Sequence, residues 1–278
     1  MQASMRAAFL AAALFTAGQA SAATCRDPAG FEKWLGDIRQ EAAAQGISQA
    51  AIQASLSGVT FDQSVINKDR GQGVFKQSFE QFAGRMVSAG RLKGGANMLK
   101  RHAATLARIE QRFGVPGPVL VAIWGLETDF GAVRGNLPVI RSVATLAFDC
   151  RRTEFFQAHL FDALRIVDRG DLTPAEMRGA WAGEMGQTQF MPSSYIKYAL
   201  DFDGDGRADL LRSPADVLAS TANYLKGHGW VRGGDWQPGS PNFEAIRAWN
   251  KSQVYSRTIA YFATKLAGGD TAAEAASQ

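Results

Sequence analysis

The chain has 278 residues and a formal net charge of +4, from 30 basic and 26 acidic side chains. Hydrophobic residues make up 46% and charged residues 20% of the sequence, a composition typical of a globular protein with a large core. The charge is small and mixed in sign, so it does not require a nucleic-acid partner, and we expect none.

The first 23 residues have the pattern of a secretory signal peptide. Arg6 supplies a basic start, residues 7–15 are apolar, and small residues at Ala20 and Ala22 suit cleavage. The apolar run is shorter than the roughly 18 residues that span a bilayer. We therefore predict export to the periplasm and no transmembrane segment in the mature chain. A lipid-attached Cys25 is the alternative, but the residues before it suit lipidation poorly.

Cys25 and Cys150 are the only cysteines of the sequence. An even pair in an exported chain favours a disulfide bond, which would tie the N-terminus to the folded domain. The sequence contains no CxxC pair and no pattern of zinc ligands.

The apolar spacing predicts a protein that is nearly all helix, with no confident strand. Residues 31–56 are predicted as two helices broken at Gly46, and residues 59–67 as irregular. Further helices are predicted at 75–86, 98–113, 139–148 and 155–167. Thr173 and Pro174 are predicted to cap and start another helix, and two more are predicted from Pro214 to about 227 and at 243–266.

One carboxylate ends the most apolar of these helices. A helix predicted to start near Pro118 and to stop at Gly131 carries Glu127 at the border of its buried stripe. Desolvation favours the protonated form of a half-buried carboxyl, which can then act as a general acid near neutral pH. A solvated glutamate at a helix end is the alternative.

Two polar loops follow. Residues 181–195 combine glycine, amide and hydroxyl groups with aromatic rings, which is how sugars are held, although such loops also simply turn. Asp201, Asp203 and Asp205 occupy the first positions of an EF-hand-like calcium loop, but Arg212 stands where the last, bidentate acid belongs. The alternative is an Asp/Gly turn stabilised by its own side-chain hydrogen bonds.

Five segments occur in an order that identifies a family resemblance: GLETDFG, GEMGQTQFMPSSY, DFDGDG, STANYLKGHGW and PNFEAIRAWN. In these the chain resembles the lytic murein transglycosylase B family. The resemblance implies a mainly α, lysozyme-like catalytic domain with an N-terminal helical extension over residues 24–266. Residues 267–278 are predicted from the sequence to be a disordered tail. The link at 231–241 is shorter than the corresponding segment of the family, which implies a more open cleft.

The resemblance also implies roles for individual residues. Glu127 matches the single catalytic glutamate of the family. The positions that match its sugar-binding residues are Phe82, Gln189, Tyr224, Trp249 and Asn250.

The implied activity is cleavage of the bond between N-acetylmuramic acid and N-acetylglucosamine in peptidoglycan strands, with 1,6-anhydromuramoyl ends. No cofactor is required, apart from a possible structural calcium ion, and a cell-envelope assembly partner is possible. The alternatives are a hydrolytic muramidase assisted by Glu184 or Asp129, a non-catalytic peptidoglycan-binding scaffold, and a calcium sensor, the last being poor because its loop lacks the final acid. Asp129 is expected to be a cap or an ion-pair partner.

Overall fold

The computed structural model describes residues 26–71 and 77–269. The predicted signal peptide, Cys25 and residues 270–278 of the predicted tail lie outside the described residues. The α-helices of the described part are α1 Phe31–Ala44, α2 Gln49–Leu56, α3 Gln63–Arg70, α4 Phe79–Met86, α5 Ala89–Arg101, α6 Ala103–Phe113, α7 Gly117–Thr128, α8 Val139–Phe148, α9 Thr153–Asp168, α10 Pro192–Tyr198, α11 Pro214–Gly227, α12 Pro241–Trp249 and α13 Gln253–Leu266.

The predicted mainly helical fold is therefore confirmed, with one small addition. Strands β1 (Leu137–Pro138) and β2 (Arg178–Gly179) pair antiparallel, with Pro138 opposite Arg178. Strands of two residues are too short to produce an alternating pattern that sequence can reveal. Within the described ranges, no helix is both long and apolar enough to cross a membrane.

Helix α7 lies at the centre of the molecule. Every residue from Val119 to Leu126 is buried, because α7 packs against α5, α6, α11 and α13. Gly125 permits the closest of these approaches: a Cβ there would stand 2.8 Å from the ring of Phe130 and 3.0 Å from that of Phe262. A larger residue would push α13 away from α7.

The end of α7 differs slightly from the prediction. The helix ends at Thr128, and Asp129 already has a left-handed backbone with a φ of 53°. The hydroxyl of Thr128 accepts a hydrogen bond from the backbone N–H of Gly131 at 2.9 Å. The chain therefore turns away directly after Glu127, which leaves that side chain in the last turn of the helix.

The N-terminal extension consists of α1, α2 and α3. Helix α2 packs on α9 and α3 packs on α8, while α1 packs on α2 and reaches α8 with its aromatic rings. The rings of Phe31, Trp34 and Phe148 meet there, with centroids 5.3 to 5.6 Å apart. The prediction of irregular structure at 59–67 is wrong, because α3 begins at Gln63. Asp62 caps this helix, its carboxylate accepting from Ser64 N at 3.0 Å.

A buried ion-pair cluster fastens α3 to the start of α9. Asp69, on α3, is 2% exposed and accepts from Nε of Arg151 at 2.7 Å. Arg152 donates to the same carboxylate. Burial alone would raise the pKa of Asp69, but the bonds from both arginines hold the pKa below its ordinary value.

Two long predicted helices are each broken in the structure. Residues 98–113 divide at His102 into α5 and α6, because His102 leaves the helical region with a φ of −106° and a ψ of 18°. Residues 243–266 divide at Asn250, whose backbone is extended with a φ of −143°. Neither break involves glycine or proline, which are the strongest helix-breaking signals of a sequence.

Thr173 caps a turn and not a helix. The carboxylate of Glu176 accepts from the backbone N–H of Thr173 at 2.9 Å, and the hydroxyl of Thr173 accepts from the backbone N–H of Glu176 at 3.3 Å. These are the bonds of a capping box, but the chain proceeds directly into β2. The predicted helix after Pro174 is therefore wrong.

Candidate active site

A cleft of about 240 Å³ opens at the C-terminal end of α7. Its walls come from α7, from the loop before α10, from α11 and from the junction of α12 and α13. The lining residues are Glu127, Glu184, Gln189, Phe190, Met191, Ser194, Tyr224, Trp249 and Asn250. The fold thus gathers five of the six residues named from the sequence as catalytic or sugar-binding.

Glu127 is half-buried in this cleft. Burial is the main cause that raises its pKa from 4.5 to about 7, and the nearby negative charge of Glu184 raises it further. Hydrogen bonds from Trp249 and Tyr255 act in the opposite direction, since they stabilise the carboxylate. A carboxyl that titrates near neutral pH can donate a proton in one step and accept one in the next.

The break at Asn250 brings two donors to this carboxyl. Trp249, the last residue of α12, donates from Nε1 to Oε1 of Glu127 at 2.9 Å. Tyr255, in the first turn of α13, bonds the same side chain, and burial and Glu127 together raise the pKa of its phenol. A continuous helix would separate these side chains by six residues and would not place both at Glu127.

Sequence reasoning missed Tyr255. Its signal was present, because Tyr255 follows Trp249 and Asn250 in one segment and Ser252 is a good N-cap. Ser252 accepts from Tyr255 N at 3.4 Å. Reading Ser252 as the start of a new helix would have placed a phenol in its first turn.

Aromatic rings form one wall of the cleft. The ring of Trp249 lies 5.4 Å from that of Phe190 and 4.9 Å from that of Tyr224, both edge to face. The hydroxyl of Tyr224 donates to the carbonyl of Ala248 at 2.8 Å. Tyr224 therefore fixes the end of α12 with its hydroxyl and offers its ring to the cleft.

Gln189 forms part of the opposite wall with a strained backbone, at a φ of 54°. Its amide nitrogen donates to the carbonyls of Gly186 at 2.9 Å and Arg134 at 3.3 Å. These bonds hold the side chain in place and leave the amide oxygen as the acceptor that a sugar hydroxyl can use. Strained non-glycine residues often occur at functional sites.

Other polar residues of the 181–195 loop serve the fold. Gln187 is buried, and its amide accepts from Trp124 Nε1 at 3.0 Å and donates to the carbonyl of Leu211 at 3.0 Å. Ser193 bonds Nδ1 of His159 at 2.8 Å. Of the amide and hydroxyl groups expected to hold sugar, those of Gln189 and Ser194 reach the cleft.

Phe82 does not line the cleft. It is 3% exposed and belongs to the hydrophobic core, and its ring centroid lies 6.0 Å from that of Tyr255. The prediction that Phe82 stacks on a sugar is therefore corrected: its position supports Tyr255 from behind. The apolar face of α4 turns this ring inward.

Two other carboxylates lie near Glu127 in the sequence or in space. Asp129 points away from the cleft and forms an ion pair with Nε of Arg91 at 3.1 Å, which confirms its predicted role. Glu184 lines the cleft, and burial raises its pKa. Its Oε2 is buried without a hydrogen-bond partner among the described residues.

The acidic loop offers a metal-binding group different from the predicted one. Carboxylate oxygens of Asp201, Asp203 and Asp216 lie within 4.8 Å of one another, whereas Asp205 is not among them and accepts from Arg207 N at 3.1 Å. Asp216, at the start of α11, is fully buried and accepts from Phe202 N at 2.7 Å. Asp216 lies too far along the chain from Asp201 to be included in the EF-hand-like loop pattern.

Arg212 does not occupy this acidic group. Its Nε donates to Asp209 and its NH2 group to Glu176, both at 2.7 Å. The objection that Arg212 would repel a cation is therefore weaker than its sequence position suggested. Three clustered carboxylates are ligands of the kind that a hard cation such as Ca²⁺ prefers.

The short link at 231–241 is an ordered turn. The buried side chain of Asn242 accepts from Val231 N at 2.6 Å and donates to the carbonyls of Val231 and Gly234, both at 2.9 Å. Trp230 anchors its beginning by donating to the carbonyl of Gly114 at 2.9 Å.

Cys150 is disulfide-bonded. Its predicted partner Cys25 lies outside the described residues, so the pairing stays a prediction.

Residues 30–240 match the family described as "Transglycosylase SLT domain". The membrane-bound lytic murein transglycosylase B of Escherichia coli K12 is 39% identical over 150 residues, which cover 54% of this chain and 41% of that protein. The match therefore spans less than half the length of that relative.

Solved structures agree with this match. SltB3 from Pseudomonas aeruginosa, in complex with NAG-NAM-pentapeptide, is 34% identical with a TM-score of 0.81, over 86% of this chain and 80% of that one. The E. coli lytic transglycosylase SLT35 in complex with calcium is 26% identical with a TM-score of 0.74, over 84% and 92% of the two chains.

Proposed function

Because this chain belongs to the transglycosylase SLT domain family, we propose that it is a lytic transglycosylase of peptidoglycan. It cleaves the bond between N-acetylmuramic acid and N-acetylglucosamine and leaves 1,6-anhydromuramoyl ends. The observation that carries this proposal is Glu127, a carboxyl with a pKa of about 7 that is held by Trp249 in a cleft with an aromatic wall.

In the first step, protonated Glu127 donates its proton to the glycosidic oxygen. The bond from C1 of the muramic acid to that oxygen breaks, and N-acetylglucosamine leaves with the proton. The acetamido oxygen of the substrate stabilises the cationic C1, which replaces the second carboxylate that glycosidases ordinarily need.

In the second step, ionised Glu127 accepts the proton of the C6 hydroxyl while O6 forms a bond to C1. The acid is thereby regenerated, and no water is added. One carboxyl with a pKa close to the working pH serves both steps, because neither of its protonation states is then strongly disfavoured.

Hydrolysis is the second candidate, and the position of Glu184 is the observation that favours it. This second carboxylate lines the same cleft and could assist an attacking water. Its Oε2 is buried without a hydrogen-bond partner among the described residues, so no protein donor orients this carboxylate as a base.

The test is to digest purified peptidoglycan and identify the products by mass spectrometry. Anhydro ends support the proposal, and reducing ends overturn it in favour of hydrolysis. Failure of the protein to reduce the turbidity of isolated cell walls, together with retained wall binding, would instead support a non-catalytic scaffold.

Calcium is a proposed structural ligand, and the chemistry itself requires no cofactor. The group of Asp201, Asp203 and Asp216 has the oxygen ligands for it, and a bound ion would join the acidic loop to the start of α11. The ion would act on stability, because this loop does not line the cleft.

The proposed site of action is the periplasm. The signal-peptide pattern of the first 23 residues and the peptidoglycan substrate both support this location. A cell-envelope assembly partner is part of the same proposal.

A further inference from the structure

A second cavity, of about 330 Å³, adjoins the cleft, and three of its lining side chains are arginines: Arg134, Arg178 and Arg212. We call it the arginine pocket. The charge of Arg212 is balanced by Asp209 and Glu176. Arg134 and Arg178 form no ion pair with any residue that the structure describes, so the pocket has an excess of positive charge.

The two unbalanced guanidinium groups are held in position by backbone carbonyls. Arg134 donates to the carbonyl of Leu211 at 2.5 Å, and Arg178 donates to that of Asn136 at 3.0 Å. A guanidinium has five N–H donors, so each arginine keeps donors for a ligand. Carbonyl anchors fix an arginine without neutralising its charge.

The small sheet is what brings these arginines together. Arg178 lies on β2 opposite Pro138 of β1, and residues 134–136 lead into β1. Gly135, at a φ of +79°, packs so closely that a Cβ would stand 2.4 Å from the carbonyl oxygen of Gly179. The backbone beside Arg134 is therefore closely packed against β2.

The arginine pocket shares a wall with the cleft. Gln189 lines the cleft and donates to the carbonyl of Arg134 at 3.3 Å. The carbonyl of Leu211 accepts from both Gln187 and Arg134. A substrate in the cleft thus lies beside an anion-binding surface that the proposed chemistry does not use.

We propose that the arginine pocket binds a carboxylate of the peptide stem that N-acetylmuramic acid carries. This inference rests on the proposed function. Guanidinium groups recognise carboxylates through paired, charge-assisted hydrogen bonds, and a stem ends in a carboxylate. An extended stem of five residues spans at most about 17 Å, which suffices to pass from a sugar in the cleft into the adjoining pocket.

The experiment compares two substrates: glycan strands with intact stems, and the same strands after an amidase has removed the stems. The KM ratio of stripped over intact strands measures the contribution of the stem. Wild type is expected to favour intact strands about tenfold, the effect of one good charge-assisted contact. Arg178→Gln and the double variant Arg134→Gln/Arg178→Gln should bring this ratio close to one.

Arg101→Gln is the matched control, because Arg101 is exposed on α5 and its loss removes the same charge. Arg101→Gln should keep the wild-type KM ratio. If the ratio also falls in Arg101→Gln, the effect comes from net charge, and the proposal is overturned. Binding of both strands to the inactive Glu127→Gln variant provides a second readout that does not depend on turnover.

The outcomes separate this inference from the proposed function. If wild type forms anhydro ends from both substrates with equal KM, or if Arg178→Gln keeps the wild-type ratio, the stem does not use the arginine pocket. If neither substrate yields anhydro ends while intact strands still bind more tightly than stripped strands, the proposed function fails. The inference that the arginine pocket binds the stem then remains supported.

Discussion

Nε1 of Trp249 donates a hydrogen bond to Oε1 of Glu127 at 2.9 Å, although the two residues are 122 positions apart in the chain. This bond joins the end of α12 to the end of α7 across the cleft. It fixes the orientation of the Glu127 carboxyl. Without this bond, burial would raise the pKa of the carboxyl still further. The bond thus both positions the acid and keeps its pKa near 7.

Glu127→Gln should reduce formation of anhydro-muropeptides by about 10² to 10⁴-fold or more, since general acid–base catalysis supplies about that factor and one group serves both steps. Gln has the shape of the protonated acid but cannot donate its proton. Product analysis by mass spectrometry gives the rate. Substantial anhydro product from this variant would refute the assignment.

Stability provides the folding control for Glu127→Gln. The pKa of Glu127 is raised in the folded state, so the folded protein binds more protons than the unfolded chain between pH 4.5 and about 7. Wild-type stability should therefore fall as the pH rises through this window. The Gln variant should lack that slope in urea titrations, and a slope equal to that of wild type would contradict the raised pKa.

Trp249→Phe should move the basic limb of the pH–rate profile to higher pH. The lost N–H donor stabilised the carboxylate, so its removal raises the pKa of Glu127, and poorer orientation should also lower kcat about tenfold. The measurement is kcat/KM against pH. Tyr224→Phe is the control, because its lost hydroxyl bonds Ala248 and not Glu127; an equal displacement of its basic limb would argue against the bond.

Glu184→Gln should move the same limb in the opposite direction, to lower pH. Removing a nearby negative charge favours the ionised form of Glu127 and lowers its pKa. The anhydro product should persist, since Glu184 has no step in the proposed chemistry. Complete loss of activity in this variant would instead favour hydrolysis with Glu184 as the second carboxylate.

Asp69→Asn should destabilise the fold by about 2 kcal/mol, because it leaves Arg151 and Arg152 without their buried partner, although both are partly exposed and can rehydrate. The pKa of Asp69 is lowered on folding, so the advantage of wild type should be present near neutral pH and disappear as the pH falls through the folded pKa. Urea denaturation at pH 7 and pH 3 measures it.

The matched surface change is Glu244→Gln, which breaks an exposed pair with Arg247. It should cost less than about 0.5 kcal/mol. Equal losses from the two substitutions would show that the Asp69 cluster does not fasten α3 to α9.

Calcium at tenfold excess over its Kd should raise Tm by about 4 °C, as expected for roughly 1.4 kcal/mol of binding linkage in a domain of this size. Asp203→Asn should abolish this rise, because Asp203 belongs to the acidic group. Asp205→Asn should keep it. If only Asp205→Asn loses the rise in Tm, the ligands are those predicted from the loop pattern, which include Asp205.

The sequence by itself predicted the helical fold, and its family resemblance pointed to Glu127 as the acid. Apolar periodicity placed α7 and α8 within a few residues, because such helices form wherever one stripe can be buried. The position of Glu127 at the border of the stripe already implied a desolvated carboxyl. Local chemistry suffices for these features, since neighbours in the chain decide them.

Only the tertiary structure decided which groups meet Glu127 and which residues remain outside the cleft. The break at Asn250 involves no glycine or proline, yet it places Trp249 and Tyr255 on one carboxyl. Packing against α13 buries Phe82, and the start of α11 supplies Asp216 in place of Asp205. These outcomes depend on contacts between segments far apart in the chain, and the propensities of single residues do not encode them.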